Sequence, residues 1–482
     1  MDELLARLKQ ASLTLHANLY QMTLYEPCFE QVMNRIQELL LNIWASESSY
    51  GFIRKLSLVP RAPRLQHLEI FEVEHSPSWN WPSVLFDGDT PALRTLKLRS
   101  CPLRWYSFKL SGLTTLGLHH VPASVQQNTA EFLAALSSMQ DLTHLYLDHS
   151  LASATGFISS ATFQTFREIN LPRLSRLLID ELCSTVIALL SCVKIPLQTR
   201  VVLECHSEHD LPLSFYHHAQ LCSLLTQRFT TTTSEDRAPL GQTIRSLVIG
   251  YMEGGVGLTF NASDRDCNSY LLSRTEWESH CNMIPLQVVV YYDESMTTSD
   301  QAHISDICCS IPLTNVQTLH AIHAPFSSTF WRKTLGHLED LRYLKLSFGN
   351  MPDLASVLSV TSLTPRDHTE NKGGYNDRGT DRILAPVLEE LELYNVRLSS
   401  SPPESCPTRK PAADIQSLYD ALSTRKGSRG QLTISKCMWG YDLVFENVVG
   451  RWEGGHFRVV EERSQRESSR RLDFFREVEV YF

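Results

Sequence analysis

The stretch Leu93-Arg94-Thr95-Leu96-Lys97-Leu98-Arg99-Ser100-Cys101-Pro102-Leu103 decides how the chain is read. It fills the template L-x-x-L-x-L-x-x-N/C-x-L, in which a short strand is followed by a turn. Its core, L-x-x-L-x-[L/I], returns along the chain, often after a proline. The copies are Leu65, Leu68, Ile70; Leu113, Leu116, Leu118; Leu142, Leu145, Leu147; Leu174, Leu177, Ile179; Leu341, Leu344, Leu346; and Leu388, Leu391, Leu393. A looser copy lies at Ile36, Leu39, Leu41, and a partial one at Leu432, Ile434 and Cys437.

Leucine makes up roughly 14% of the chain, so a shuffled sequence would hold on the order of two strict copies; seven are present. From the first anchor of each, the steps 36 to 65, 65 to 93, 93 to 113, 113 to 142 and 142 to 174 are 29, 28, 20, 29 and 32 residues. This spacing predicts an α/β fold: an irregular leucine-rich-repeat solenoid, or horseshoe, with loop insertions, drawn as one elongated domain. In such a strand the second and last anchors point inward, and the residues between and beside them point to the opposite, concave face.

The returning segments are expected to be helical. Asn128 with Glu131 three residues on is a capping pattern, and Phe132, Leu133 and Leu136 give the apolar face of the helix it starts. Asp414 to Lys426 reads as a second helix, stopped by Gly427. Five regions result. Residues 1–35 form a helix–strand–helix cap (Leu4 to Lys9, Ser12 to Leu19, Phe29 to Arg35), and 36–205 hold regular repeats. Residues 206–340 are irregular with insertions, including a hairpin around Gly254-Gly255-Val256-Gly257 and a strand over Leu286 to Tyr292. Residues 341–440 return to repeats broken by disordered loops at 364–381 and 399–411. Residues 441–482 form a C-terminal cap of short strands and a charged helix.

Composition narrows the function. Hydrophobic residues are 43% and charged ones 20% of 482, ordinary for a globular chain with a large core. The net charge of −9 and the absence of a long Lys/Arg run speak against nucleic-acid binding. The start Met1-Asp2-Glu3-Leu4-Leu5 predicts no secretory leader, and no apolar run is long enough to span a bilayer. Twelve cysteines without C-x-x-C spacing are read as reduced thiols, several of them (Cys101, Cys183, Cys192) as small core hydrophobes. The expected location is cytoplasmic or nuclear.

Chemistry-bearing motifs are few. Cys205-His206-Ser207-Glu208-His209-Asp210, with His217 and His218 beyond, is rich in ligand types, but its spacing matches no familiar zinc site. It is read as a polar loop after a strand over Val201 to Leu203. The glycines at 254–257 lack a phosphate-loop ending and read as a turn. No G-x-S-x-G, H-E-x-x-H or Ser-His-Asp arrangement is visible. No catalytic residue, metal or cofactor is therefore expected, and an enzyme hidden in residues 205–300 is disfavoured.

The candidate site is instead the concave face: His67, Glu69 and Phe71; Thr95, Lys97 and Arg99; Thr115 and His119; His144, Tyr146 and Asp148; Arg176 and Asp180. Aromatics and both charge signs on rigid strands suit protein recognition. The expected partner is an unidentified protein, bound by a monomer, with neither nucleic acid nor membrane involved.

Leu5-Ala6-Arg7-Leu8-Lys9-Gln10-Ala11-Ser12-Leu13-Thr14-Leu15 resembles the L-x-R-S-K-Q-A-P-L-T-V element of fungal F-box/leucine-rich-repeat-like proteins. Ser12 stands where that family has Pro, and Leu8 where it has Ser. Arg35 to Leu39 and Arg61 to Ile70 resemble the repeat strands beyond that element in the family. The resemblance, one of pattern, runs to about residue 205 and returns over 380–440. It implies a substrate receptor of an SCF ubiquitin ligase, whose repeats hold the substrate while an F-box docks the adaptor. In that family the F-box precedes this element, and the chain begins at the element itself. The resemblance therefore implies the substrate-binding half, with an SCF adaptor as partner only if an F-box lies upstream. A free-standing binding protein with no role in ubiquitination is the alternative.

Overall fold

A computed structural model describes residues 12–18; 33–206 apart from 45, 73–80, 154–167 and 197; 215–230; 244–252; 255–261; 286–291; 298–347 apart from 312 and 323–325; 382–396 apart from 384–386 and 395; 429–439; 443–453; 456–462; and the single positions 354, 357, 358, 361, 362, 418 and 422. The chain divides into two compact units, Met1–Gln220 and Leu221–Phe482.

The first unit is built on eight parallel strands: β1 (Leu13–Asn18), β2 (Ile36–Ile43), β3 (His67–Glu72), β4 (Thr95–Arg99), β5 (Thr115–His119), β6 (His144–Asp148), β7 (Arg176–Leu182) and β8 (Arg200–His206). Each pairs with the next of the series. The leucine pattern explains each strand locally. The first anchor closes a turn, its N–H donating to the carbonyl three residues back: Leu65 to Ala62, Leu93 to Thr90, Leu113 to Leu110, Leu142 to Met139 and Leu174 to Leu171. The second and last anchors alternate inward and align by register into two buried columns. Leu39, Leu68, Leu96, Leu116, Leu145, Leu177 and Val201 form one; Leu41, Ile70, Leu98, Leu118, Leu147, Ile179 and Leu203 form the other.

The links between strands differ. Helix α1 (Glu47–Leu58), with Ser46 accepting from the Ser49 N–H, joins β2 to β3. Short 3-10 turns at Phe86–Gly88 and Trp105–Ser107 lie before β4 and β5. Helix α2 (Thr129–Leu136) precedes β6, and Asn128 Oδ1 accepts from the Glu131 N–H at 2.8 Å, the cap expected from sequence. Helix α3 (Cys183–Cys192) continues directly from β7 and is buried along almost its whole length. Crossovers between successive parallel neighbours share one hand, which puts these links on one face of the sheet and leaves the other open.

The second unit mixes directions. Strands β9 (Ser246–Met252), β10 (Gly255–Asn261) and β11 (Leu286–Tyr291) are antiparallel. β9 also runs parallel to β12 (Thr318–Ile322), which continues in parallel through β13 (Tyr343–Ser347), β14 (Glu390–Tyr394) and β15 (Arg429–Trp439). β15, β16 (Leu443–Glu453) and β17 (His456–Glu462) are again antiparallel. Helices α5 (Thr298–Cys309) and α6 (Ser328–Gly336) flank β12, and α4 (Phe215–Thr230) precedes β9. Among the described residues no helix is long and apolar enough to cross a membrane.

These findings correct the expected leucine-rich-repeat horseshoe. The architecture is α/β, with large sheets of mostly parallel strands. Two antiparallel ladders interrupt the parallel run, the links obey no constant plan, and the chain makes two units instead of one elongated domain. The leucine copies predict strands and an inward face; they carry no information on what joins the strands, and a solenoid needs both. Two local readings are also corrected. Gly255 and Gly257 lie inside β10, paired with Met252 and Gly250, and not in a turn. Cys205 and His206 belong to β8 and not to a loop. Most of the expected helices at 4–9, 29–35 and 414–426, both expected insertions, residues 207–214 and the tail beyond 462 lie outside the described residues.

Candidate functional site

All thirteen residues expected on one face come from β3 to β7, and the register sets them in three rows across the strands. His67, Thr95, Thr115, His144 and Arg176 form the first. Glu69 and Lys97, then Gly117, Tyr146 and Leu178, form the second. Phe71, Arg99, His119, Asp148 and Asp180 form the third.

The rows interact laterally. The Arg99 guanidinium carbon lies 4.5 Å from the centre of the Phe71 ring. Glu69 Oε2 lies 3.3 Å from His67 Nε2 and 3.7 Å from Lys97 Nζ. The hydrogen bond from His67, with Lys97 beside it, holds the Glu69 carboxyl below its ordinary range against the opposing effect of burial. The His144 and Tyr146 rings stack at 6.2 Å. Burial, then the charges of Arg176 and Lys97, lower the pKa of His144 and favour its neutral form. Gly117 is required where it stands: a Cβ there would come within 3.2 Å of Lys97 Cγ and 3.3 Å of His119 Nε2.

The open character ends toward β7 and β8. In the second row Leu178 and Val202 are each 2% exposed. Asp148 and Asp180, expected at the surface, are 1% and 9% exposed. Histidines surround both. Asp148 Oδ2 lies 3.5 Å from His119 Nδ1 and 3.4 Å from His120 Nε2. Asp180 Oδ1 lies 2.6 Å from His206 Nε2 and 3.9 Å from His149 Nε2. The His120 and His149 rings stack at 5.5 Å, and His149 and His206 are 4.8 Å apart.

This cluster has a backbone cause. Ser100, His120 and His149 each stand directly after a strand and adopt φ of 56°, 49° and 45°, the left-handed region. That turn aims each N–H at the next strand's last carbonyls: Ser100 to His119 O at 2.8 Å, His120 to Asp148 O at 2.6 Å, His149 to Asp180 O at 2.9 Å. Behind His149, Glu181 Oε1 accepts from Ser150 N, Ser150 Oγ and Leu151 N at 2.7, 2.8 and 3.2 Å. Burial raises the Glu181 pKa to about 7, although those three bonds pull it down. One position further along than Ser100, the Cys101 thiol donates to Ile70 O at 3.4 Å and Arg99 O at 3.0 Å. Cys437 does the same to Leu393 O at 3.3 Å. The Cys slot of the motif is thus a hydrogen-bonding position.

Residue-by-residue reading missed His120, His149, Glu181 and His206. Stacking the leucine copies in register would have exposed a signal. The column after the last anchor reads Arg99, His119, Asp148, Asp180, Glu204, and the next reads Ser100, His120, His149, Glu181.

Chemically, the sheet face offers aromatic and charged contacts on fixed strands. The His149, Asp180 and His206 donor atoms, all within 4.8 Å of one another, are the group able to hold a metal ion among the described residues. Compared with models of known protein families and with curated proteins, the chain matches none. Fold and site define an α/β protein with a polar, aromatic sheet face bordered by a histidine–carboxylate cluster.

Proposed function

We propose that this protein is a non-enzymatic recognition protein that binds a protein partner across the β3–β6 face of its first unit. The observation that carries the reading is the lateral packing of that face. Phe71 under Arg99, His67 and Lys97 on Glu69, and His144 on Tyr146 are ordered before any partner arrives. Preordered aromatic and arginine side chains lose little freedom on binding, and such residues dominate protein interfaces. The mixture of charge signs favours a protein over a phosphate backbone.

The likeness of residues 5–15 to the fungal F-box proteins supports a more specific reading, the substrate-recognition region of an SCF ubiquitin ligase receptor. Free, buried thiols that serve as hydrogen-bond donors support a place in the reducing cytoplasm or nucleus.

The test is affinity purification of the tagged protein from its own cells, beside a Phe71→Ala, Arg99→Ala, Tyr146→Ala triple variant. A partner held by the native protein and lost by a folded triple variant supports the face. Retention of every partner by the variant overturns it. Copurifying adaptor and cullin favour the ligase reading, and their absence beside a retained partner favours a free-standing binding protein.

A further inference from the structure

The histidine–carboxylate cluster is more than the recognition face requires. It stands at the C-terminal ends of β6, β7 and β8, the edge where parallel sheets gather functional groups. His149 comes from the residue after β6, Asp180 from β7, and His206 from the last position of β8. Strand alternation places Asp180, paired with Glu204, and His206, two residues on, on the same face. His149 reaches them because its backbone is held left-handed, an arrangement that disfavours a β-carbon and persists only when neighbours enforce it. The neighbours are the His149 N–H bond to Asp180 O and the clamp of Glu181 on Ser150 and Leu151.

We propose that His149, Asp180 and His206 form a binding site for one divalent transition-metal ion of the zinc type. Two imidazoles and one carboxylate suit zinc, cobalt or nickel, whereas calcium and magnesium prefer oxygen throughout. Around a tetrahedral ion with ligand bonds of roughly 2.0–2.2 Å, donor atoms stand roughly 3.3 Å apart. Here Asp180 Oδ1 is 2.6 Å from His206 Nε2 and 3.9 Å from His149 Nε2, and all three donors lie within 4.8 Å. Small side-chain rotations bring them to the required separation. Asp148, Asp180 and Glu181 are three buried acids on adjoining strand ends, and they give the site a local charge that a dication would offset. Three protein ligands leave the fourth position to water or to an outside donor. The His149 side chain is 44% exposed, which gives the ion a route in. The site uses neither Cys205, which lies on the other side of β8, nor the spacing Cys205-His206-x-x-His209. It does not rest on the recognition reading.

The test uses the full chain, stripped with a chelator and titrated with Zn²⁺ alone against a chromogenic competitor. One equivalent should bind. His149→Asn, which suits a left-handed backbone, and His206→Gln should each weaken binding by about 100-fold or more, since loss of even an outer-shell partner costs about 10–100-fold. X-ray absorption of the zinc-loaded native protein should show nitrogen and oxygen ligands only, two of them imidazoles. That measurement decides the matter even if a variant fails to fold. Absence of binding tighter than about 100 μM (well short of structural zinc affinities), unchanged affinity in folded variants, or sulfur in the coordination shell would each overturn the site.

Discussion

Glu181 receives both the backbone N–H and the hydroxyl of Ser150 on one carboxylate oxygen, at 2.7 and 2.8 Å, in a place closed to solvent. The acid thereby ties the end of β7 to the chain leaving β6.

This pair predicts a pH effect. Burial raises the folded pKa of Glu181 to about 7 from an ordinary 4.5. Between those values the folded chain holds a proton that the unfolded chain has released. The contribution is therefore complete below about pH 4.5 and is lost as pH rises through about 7, worth about 3 kcal/mol across the window. Urea midpoints measured at pH 4.5 and pH 8 should show this loss in the native protein, and Glu181→Gln should remove most of it. Equal pH dependence in the two proteins would contradict the assignment.

A second buried pair fixes α1 against β3. The Tyr50 hydroxyl donates to Glu72 Oε1 at 2.7 Å, and both residues are buried. Tyr50→Phe deprives a buried acceptor of a donor and should cost about 2 kcal/mol in urea unfolding. Burial and the neighbouring Glu72 push the phenol's ionisation well above its ordinary range. Alkaline titration of the native protein should find Tyr50 still protonated after exposed tyrosines have ionised.

Phe71 and Arg99 separate stability from recognition. A cation–π contact at a partly exposed site contributes about 0.5–1 kcal/mol. Arg99→Ala should thus barely move the urea midpoint. If the face is the interface, the same change should weaken partner binding by about 30-fold, the scale of an arginine hot spot. Phe71→Ala should give a similar loss, and the double variant less than the product of the two, because they act as one unit.

The thiols offer a test without mutation. Burial raises the pKa of Cys101, Cys205 and Cys308, with a hydrogen bond from Cys183 the larger cause at Cys205, and it lifts Cys192 and Cys309 to about 11 and Cys222 to about 12. A thiol reacts as its thiolate. Iodoacetamide at pH 7.5 should leave these six thiols unmodified in the native protein and label them all in urea. Rapid native labelling at Cys101 would contradict its place under Ile70 O.

The strands were legible because burial with period two writes itself into the leucines: Leu68 and Ile70, Leu96 and Leu98, Leu116 and Leu118 each predicted their own strand and inward face. The helix after Asn128 was legible from its cap. The horseshoe was not a sound extension of this pattern. It assumed one kind of link after every strand, whereas β4 leads into a 3-10 turn, β7 runs into helix α3 without a break, and β9 folds back on β10. The candidate face was legible as three rows, since alternation that buries Leu96 also exposes Thr95 and Lys97. Its far end was not, because Leu178 and Val202 show that a strand enclosed on both faces loses the alternating signal. The cluster on Asp180 escaped because its members lie 26 to 31 residues apart, and a left-handed histidine has no mark in the sequence.

Each strand of the first unit pairs with the strand before it, across only 20 to 32 residues of chain, as from Leu96 to Leu116 or Leu145 to Leu177. In the second unit Ser246 must wait for Thr318, 72 residues on. On the ribosome the first unit can therefore add strands in the order they emerge, each docking on an edge already formed. The second must hold β9 open while three further segments are made, and this is the interval in which a chaperone would be needed.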